Sequence, residues 1–268
     1  MVFNLHGKTM KLYALVSLFL CIGSFQTLSA QVELEGEQEG ARVNSFTAAV
    51  LVQTKGISTI PNLTLGKPAF TFDLKVGRKL SFEPQFRFAL TGEPWAIVFW
   101  WRYKAVSTDK FRLDLSTNYS FAYKTIVVTN QGEPQELIRT TRYLVGAASP
   151  EYLLNKYLSA GAYIFYNHGI EKFITRNTLM LSFRPSVSNI PIAKYISARF
   201  NPEIYYLLMD DDEGIFFNAR LSISKKNFPV SVSALINKPI KSNISSDYDL
   251  LWNAGISYTF SNKYVEAR

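Results

Sequence analysis

The sequence predicts an all-β chain that folds into a transmembrane antiparallel up-and-down β-barrel of about twelve strands, with ten as the lower count. Apolar and polar residues alternate with a period of two along most of the chain, most clearly over 250–260. Most of the alternating segments are long enough to cross a bilayer when tilted, whereas strands of soluble domains average about five or six residues. Trp and Tyr stand at the segment ends, as in barrels whose outer face meets lipid.

Residues 1–30 are predicted to be a secretory signal peptide. A basic stretch ends at Lys11 and is followed by an apolar run over 12–22 that is too short to span a bilayer. The small residues Ser29 and Ala30 favour cleavage before Gln31, although Met10 leaves the true start open. A lipoprotein modified at Cys21 is the alternative, and the bulky Leu20 before it argues against this processing.

Removal of residues 1–30 would leave 27 basic and 21 acidic residues and no cysteine. Disulfides and thiol chemistry are therefore not expected in the remaining chain. After residue 30 no segment has 18 consecutive apolar residues, which argues against a helical membrane protein. Residues 31–42 are acidic, contain glycine and lack periodicity, and are predicted to be flexible.

The barrel itself is predicted over 43–260, followed by a tail over 261–268. Pro84 and Pro202 fall inside predicted strands, where each removes a ladder hydrogen bond, so a bulge or kink is expected near each. A break at either proline would lower the strand count to ten. The predicted strands are 43–53, 68–76, 80–90, 95–105, 111–124, 138–149, 157–166, 173–184, 194–208, 215–224, 229–238 and 249–260.

The connections differ in length on the two sides of the predicted barrel. Those after even-numbered strands are mostly tight turns, and those after odd-numbered strands tend to be longer or more charged, as at 54–67 and 125–137. Bacterial barrels have short periplasmic turns and longer outer loops, which places both termini in the periplasm. The short connection at 91–94 weakens the rule.

The alternation also predicts which side chains meet lipid. Amphipathic aromatic rings favour the membrane interface, so those at strand ends are expected to form two girdles. The alternative is that they are core aromatics of a secreted soluble β-sandwich, which solubility without detergent would reveal. The predicted interface aromatics are Trp95, Tyr103, Tyr123, Tyr157, Tyr166, Tyr195, Trp252 and Tyr258.

Charged residues at the alternate strand positions, whose side chains face away from lipid, are predicted to line the lumen. Arg or Lys facing the middle of the bilayer would cost about 2 to 4 kcal/mol. Basic residues outnumber acidic ones among them, which favours anions, since guanidinium groups bind carboxylate and phosphate in a forked manner. An open anion-preferring channel and a lumen closed by salt bridges both remain open. The predicted lumen residues are Asp73, Lys75, Glu83, Arg87, Arg112, Asp114, Arg176, Arg184, Arg199, Glu203 and Arg220.

An enzyme is considered because small barrels include phospholipases and proteases. His168 is the one histidine after residue 30, and position 170, where the phospholipase type needs Ser, is Ile. A protease would need carboxylates near His168, for which Asp210, Asp211 and Asp212 are candidates. We expect no catalytic residues, no metal site and no cofactor; the acidic run is interpreted as a solvated loop, with Ca²⁺ binding as the alternative. No nucleic-acid patch is present, because the basic residues are spread along the strands.

The terminal strand ISYTF, with Tyr258 and Phe260 two residues apart, resembles that of Gram-negative outer-membrane β-barrel proteins. The resemblance covers the predicted mature chain in pattern and implies a porin-like, multi-pass outer-membrane barrel. It also implies contact with lipid and lipopolysaccharide, and assembly through Tyr258 and Phe260 by the barrel-assembly machinery. The chain departs from the pattern in that eight residues follow Phe260. We therefore expect porin-like passage of small solutes, anions included, with a non-conducting structural or ligand-binding barrel as the alternative.

Overall fold

A computed structural model describes residues 43–130, 133–245 and 249–265. The predicted signal peptide and flexible segment, residues 1–42, lie outside this range. Twelve antiparallel strands close into one barrel in chain order, which confirms the predicted fold class. The strands are β1 (Val43–Gln53), β2 (Ala69–Gly77), β3 (Leu80–Ala89), β4 (Pro94–Ser107), β5 (Phe111–Asn130), β6 (Glu133–Leu153), β7 (Leu158–Gly169), β8 (Asn177–Ala193), β9 (Ile196–Met209), β10 (Asp212–Lys225), β11 (Val230–Ser242) and β12 (Leu251–Val265).

The barrel closes by pairing its first strand with its last. β1 and β12 run antiparallel from Val43 opposite Val265 to Gln53 opposite Gly255. Closure leaves neither strand with an unpaired edge, which is the condition for a sheet to exist in hydrocarbon. We call the end of the barrel at Val43 and Val265 the terminal end, and the opposite end the loop end.

β5 and β6 are much longer than predicted. The segment 125–137, predicted as a loop, continues both strands and is paired from Thr125 opposite Ile138 to Asn130 opposite Glu133. The segment is rich in β-branched residues, which favour extended backbone even where no core covers them. Beyond Ala122 and Tyr143 no further strand of the described residues pairs with β5 or β6, and the two strands stand above the loop end as a ribbon.

Two other element ends differ from the prediction. β8 runs to Ala193, so the turn predicted near 188–191 lies at Lys194 and Tyr195. β12 extends to Val265, so the tail predicted from residue 261 begins inside a strand. Ser261 and Lys263 pair with β1 there, which lengthens the seam that closes the barrel.

Neither Pro84 nor Pro202 breaks its strand, and the strand count stays at twelve. The β2–β3 ladder has no pairs next to Pro84 but resumes beyond it in the same register. The β8–β9 ladder likewise has a gap where Pro202 lies across from Pro185, and it resumes in the same register. Pro150 marks a third such gap, between β6 and β7. Proline has no N–H for the ladder, so the bonds are lost locally while the pairing on either side keeps the strands aligned.

The outer face carries the apolar residues that the alternation predicted. Along β12, for example, Trp252, Ile256 and Phe260 are exposed while Leu251 and Asn253 are buried inside. Aromatic rings pack edge-on or stacked across neighbouring strands on this face, as Phe82 does with Phe99 and Trp101. No helix among the described residues is long and apolar enough to cross a membrane.

Seven of the eight predicted interface aromatics lie on the outer face or in the turns, and Trp95 does not. A register shift between Arg87 and Phe88 inserts an extra residue into β4, and the Trp95 ring turns into the barrel, where only 5% of it is exposed. Its assignment to a girdle is wrong for this reason. Tyr123, Tyr166 and Trp252 lie toward the loop end, and Tyr103, Tyr157, Tyr195 and Tyr258 toward the terminal end.

The segment between β1 and β2, residues 54–68, folds into the barrel rather than away from it. We call it the inner loop. It contains a short 3-10 turn, Pro61–Leu63, just after Ile60, which is 6% exposed. Ile60 belongs to a buried apolar cluster whose other members include inward-facing side chains from β4, β6, β7, β8, β9 and β10. The inner loop therefore occupies the lumen near the loop end.

Candidate functional site in the lumen

The lumen has an apolar half and a charged half, whereas alternation alone predicted polar residues inside. Toward the loop end, Ile60 and Ile244 from the connecting segments meet apolar side chains from the strands, which form a small core inside the barrel. Two of its rings, Tyr205 and Phe216, stack at 5.0 Å. The strand residues of this core are Val98, Trp100, Val145, Tyr163, Phe165, Met180, Tyr205, Leu207, Met209 and Phe216.

Hydrogen bonds from the barrel wall hold the inner loop in place. The Trp95 indole Nε1 donates to the Leu63 carbonyl at 2.8 Å, and the Tyr205 hydroxyl donates to the Thr59 carbonyl at 3.1 Å. Asn253 Nδ2 donates to the Lys55 carbonyl at 2.9 Å. The donors lie on β4, β9 and β12, so the inner loop is bonded to three separate parts of the barrel wall and not only at its two ends.

An ion-pair chain crosses the charged half from β2 to β4. Glu83 accepts hydrogen bonds from Lys75 Nζ at 2.5 Å and from Arg102 Nε at 2.8 Å. The Arg102 guanidinium also lies 4.4 Å from the centre of the Trp100 ring, which is within cation–π range. One carboxylate thus serves two cations.

A second charged group spans β7 to β10. Arg184 Nε donates to Glu203 at 2.6 Å, and Asn218 Nδ2 donates to the other oxygen of Glu203 at 3.2 Å. The Arg184 guanidinium lies 3.9 Å from the centre of the Tyr163 ring. Glu203 is buried, and the two hydrogen bonds offset the cost of removing its charge from water.

Three inward arginines, Arg87, Arg199 and Arg220, have no carboxylate at ion-pair distance among the described residues. Arg87 donates to the neutral amide oxygen of Gln85 at 2.7 Å, and its guanidinium lies 5.4 Å from the Trp95 ring centre. Arg220 pairs in register with Asn201 on β9, so its strand neighbour is neutral as well. Asp73 is close enough to Arg87 to interact electrostatically without a hydrogen bond. The lumen thus keeps cationic groups available to a solute.

Ten of the eleven predicted lumen residues lie at inward positions of the strands. Arg176 is the exception: it precedes β8 in the segment 170–176, where its backbone N–H donates to Asp210, and its side chain is exposed. Its assignment to the lumen is wrong because β8 begins at Asn177 rather than at 173. The ten inward residues are Asp73, Lys75, Glu83, Arg87, Arg112, Asp114, Arg184, Arg199, Glu203 and Arg220.

Sequence analysis missed Arg102 and Glu151. Arg102 is adjacent to the outward Tyr103, so the parity of β4 already indicated that it points inward. Glu151 lies beyond the predicted end of β6 and accepts a hydrogen bond from Ser159 at 2.7 Å, with Arg112 at 3.9 Å. With these two added, the inward positions named here carry seven basic and five acidic groups.

A cavity of about 320 Å³ lies beneath the inner loop, and we call it the lumen chamber. Arg87, Arg102 and Arg184 reach it, together with the rings of Trp95 and Trp100. Asn118 and Asn167 also line it, and the amide oxygen of each is buried without a hydrogen-bond partner in the described structure. The chamber can therefore offer cations, aromatic faces and free acceptors to a bound molecule.

A second cavity, of about 410 Å³, opens at the loop end, and we call it the mouth pocket. The inner loop forms one wall, and β5, β6 and the segment 170–176 form the others. At its edge Lys67 Nζ donates to Glu93 at 2.8 Å, and Thr125 donates to the other oxygen of Glu93. These bonds lower the pKa of Glu93, and Glu93 in turn raises the pKa of Lys67.

The residues weighed as catalytic do not meet. His168 Nδ1 lies 3.0 Å from Asn177 Oδ1, which also accepts a hydrogen bond from the Tyr166 hydroxyl. The Asp210 carboxylate accepts hydrogen bonds from the backbone N–H groups of Arg176 and Asn177, so it holds the start of β8 and the residue before it. In the part of the chain that the structure covers, no three His, Cys, Asp or Glu residues are grouped so that they could hold a metal ion.

Comparison with solved structures identifies the architecture. The KdgM porin in complex with disordered oligogalacturonate is similar with a TM-score of 0.52 and 10% identity, over 81% of this chain and 99% of that one. The COG4313 outer membrane channel from Pseudomonas putida F1 is similar with a TM-score of 0.50 and 9% identity, over 85% and 98%. No protein-family model matches the chain, and no curated protein matches its sequence. The fold is that of the outer-membrane β-barrel proteins.

Proposed function

We propose that the barrel is a porin-like outer-membrane channel that passes small solutes and favours anions. The observation that carries the proposal is the pair Arg87 and Arg220, which project into the lumen without a carboxylate at ion-pair distance among the described residues. An arginine-lined passage lowers the electrostatic barrier for carboxylates and phosphates. The COG4313 protein, which has the same fold, is described as a channel.

The experiment is ion selectivity in planar lipid bilayers under a salt gradient. Arg87→Glu and Arg220→Glu each replace a cation that has no ion pair with an anion, so the anion-to-cation permeability ratio is expected to fall by about twofold or more in each. Lys241→Glu makes the same change of charge near the loop end of β11, at an exposed position away from the lumen, and serves as the control. Unchanged reversal potentials in both arginine variants would contradict the proposal.

A non-conducting, ligand-binding barrel is the second candidate. The buried contact of Ile60 with the apolar core supports it, because this contact occupies the lumen above the chamber. Folded barrels that bind a solute but give no current, with the inner loop intact or shortened, would favour this candidate over the channel.

We propose further that the outer face contacts outer-membrane lipid and lipopolysaccharide, with both termini in the periplasm. The tight turns at the terminal end support this orientation, since periplasmic turns are short. The barrel-assembly machinery would recognise Tyr258 and Phe260, which face outward on β12. An epitope tag inserted after Gly92 at the loop end is expected to be accessible on intact cells; a tag that is reached only after lysis would reverse the orientation.

The proposal includes no enzymatic role. Among the described residues the His168 ring contacts Asn177, and no serine or carboxylate is hydrogen-bonded to it, which supports a barrel without hydrolytic activity. Lipase or protease activity that disappears in His168→Ala would contradict this part of the proposal.

A further inference from the structure

The mouth pocket is lined by two exposed cationic residues that stand opposite each other on neighbouring strands. Lys124 on β5 and Arg139 on β6 pair directly in register, and both line the pocket. Like charges directly opposite on antiparallel strands repel each other. The backbone pairing of the two strands fixes this arrangement, so the repulsion is built into the wall of the pocket.

Glu93, a carboxylate that lines the pocket, is not paired with Lys124 or Arg139. Glu93 is hydrogen-bonded to Lys67 and Thr125, which occupy both of its oxygens. Lys124 and Arg139 have no ion pair with a carboxylate among the residues that the structure covers. A bound anion would therefore supply a counter-charge that the chain itself does not place there.

The other walls of the mouth pocket carry apolar and aromatic side chains among hydroxyl-bearing ones such as Thr125 and Thr141. Leu63 and Leu65 of the inner loop, Trp95 and Tyr143 line it. Phe173 stands at its rim with 98% of its surface exposed and a φ of 69°, a left-handed conformation that bulky residues rarely adopt. Strained backbone that exposes a large ring is more common at binding sites than elsewhere.

We propose that the mouth pocket binds a ring-bearing organic carboxylate. The carboxylate would lie between Lys124 and Arg139, and the ring would pack against Trp95 and Tyr143. Lys124 and Arg139 line the mouth pocket and not the lumen chamber, whereas Trp95 and Tyr143 line both cavities. Binding at the mouth pocket does not require that the barrel conducts. The binding proposal can therefore be tested independently of whether the barrel is a channel.

The test is calorimetric titration of the folded barrel in nanodiscs with benzoate. Benzyl alcohol, which has the ring without the charge, and inorganic phosphate, which has the charge without the ring, are the comparison ligands. We expect benzoate to bind more tightly than both, and Lys124→Gln and Arg139→Gln each to weaken it by about tenfold, as for lost charge-assisted hydrogen bonds. Lys241→Gln, an exposed lysine on β11, is the matched control and should leave binding unchanged.

Arg139→Glu separates binding from folding. It would create a favourable cross-strand pair with Lys124, so the melting temperature should stay equal or rise while benzoate binding is lost. Undiminished benzoate binding in Arg139→Glu would overturn the proposal. Phosphate or benzyl alcohol binding as tightly as benzoate would overturn it as well, because the pocket would then use only one of its two features.

Discussion

Single residues inside the barrel decide whether its lumen is a sealed salt-bridge network or a passage. Glu83 and Glu203 each bind an arginine and thereby neutralise part of the charge. Arg87 and Arg220 have no such partner in the described structure and keep their charge available. The described part of the lumen thus holds fixed ion pairs beside arginines that have no ion pair.

For a single residue, we predict how much Glu203 contributes to the free energy of unfolding. Glu203→Leu leaves Arg184 without its acceptor in a site where the glutamate is buried and the arginine is about one third exposed, at 35%. Because the arginine keeps some water, we expect the free energy of unfolding to fall by about 1 to 3 kcal/mol, less than for a fully buried pair. Urea unfolding in detergent micelles, followed by tryptophan fluorescence, measures it.

Glu151→Leu is the matched control for this measurement. Its partner Arg112 lies 3.9 Å away, and both side chains are more exposed, so the change should stay below about 1 kcal/mol. Equal losses in the two variants would show that burial does not set the strength of these ion pairs.

At the scale of elements, the strands were predictable and the inner loop was not. A period of two depends on local sequence, so β1 and the outward side of β12 could be assigned from residues alone. The inner loop folds inward through contacts such as Thr59 with Tyr205, which lie 146 residues apart in the chain. No local pattern encodes such a contact, and the extra residue that turns Trp95 inward also leaves no periodic signal.

The hydrogen bonds of Glu93 predict that the inner loop is held in a pH-dependent manner. Its pKa in the folded chain lies below the ordinary value of 4.5, so the stabilisation from Lys67 and Thr125 is present above that value and is lost as the pH falls through the lowered pKa. We expect protease cleavage within 54–68 to accelerate once the pH falls below the lowered pKa of Glu93, and Glu93→Gln to accelerate it already at pH 7.

Lys241→Gln is the control for the inner loop, since it removes a cation from the loop end without touching Glu93. A cleavage rate in Glu93→Gln equal to that of the unchanged chain at pH 7 would show that the Glu93 contacts do not hold the loop.

At the scale of the whole molecule, closure of the barrel puts residues from distant parts of the sequence around one lumen. Arg87 on β3 and Arg220 on β10 are near enough to influence each other electrostatically. The sequence predicted that both arginines point inward. It did not predict that they lack ion pairs, because this depends on Glu83 and Glu203 binding Arg102 and Arg184 instead. Side chains that face the lumen can thus be predicted by parity, whereas their pairing requires the closed structure.

The central claim is that this lumen conducts and prefers anions, and the most direct test is the zero-current potential of the unchanged barrel in a planar bilayer under a KCl gradient. We predict stepwise conductance with a reversal potential of the sign set by chloride, because the free arginines attract anions. A reversal potential of the opposite sign, or no current from barrels shown to be folded, would contradict it.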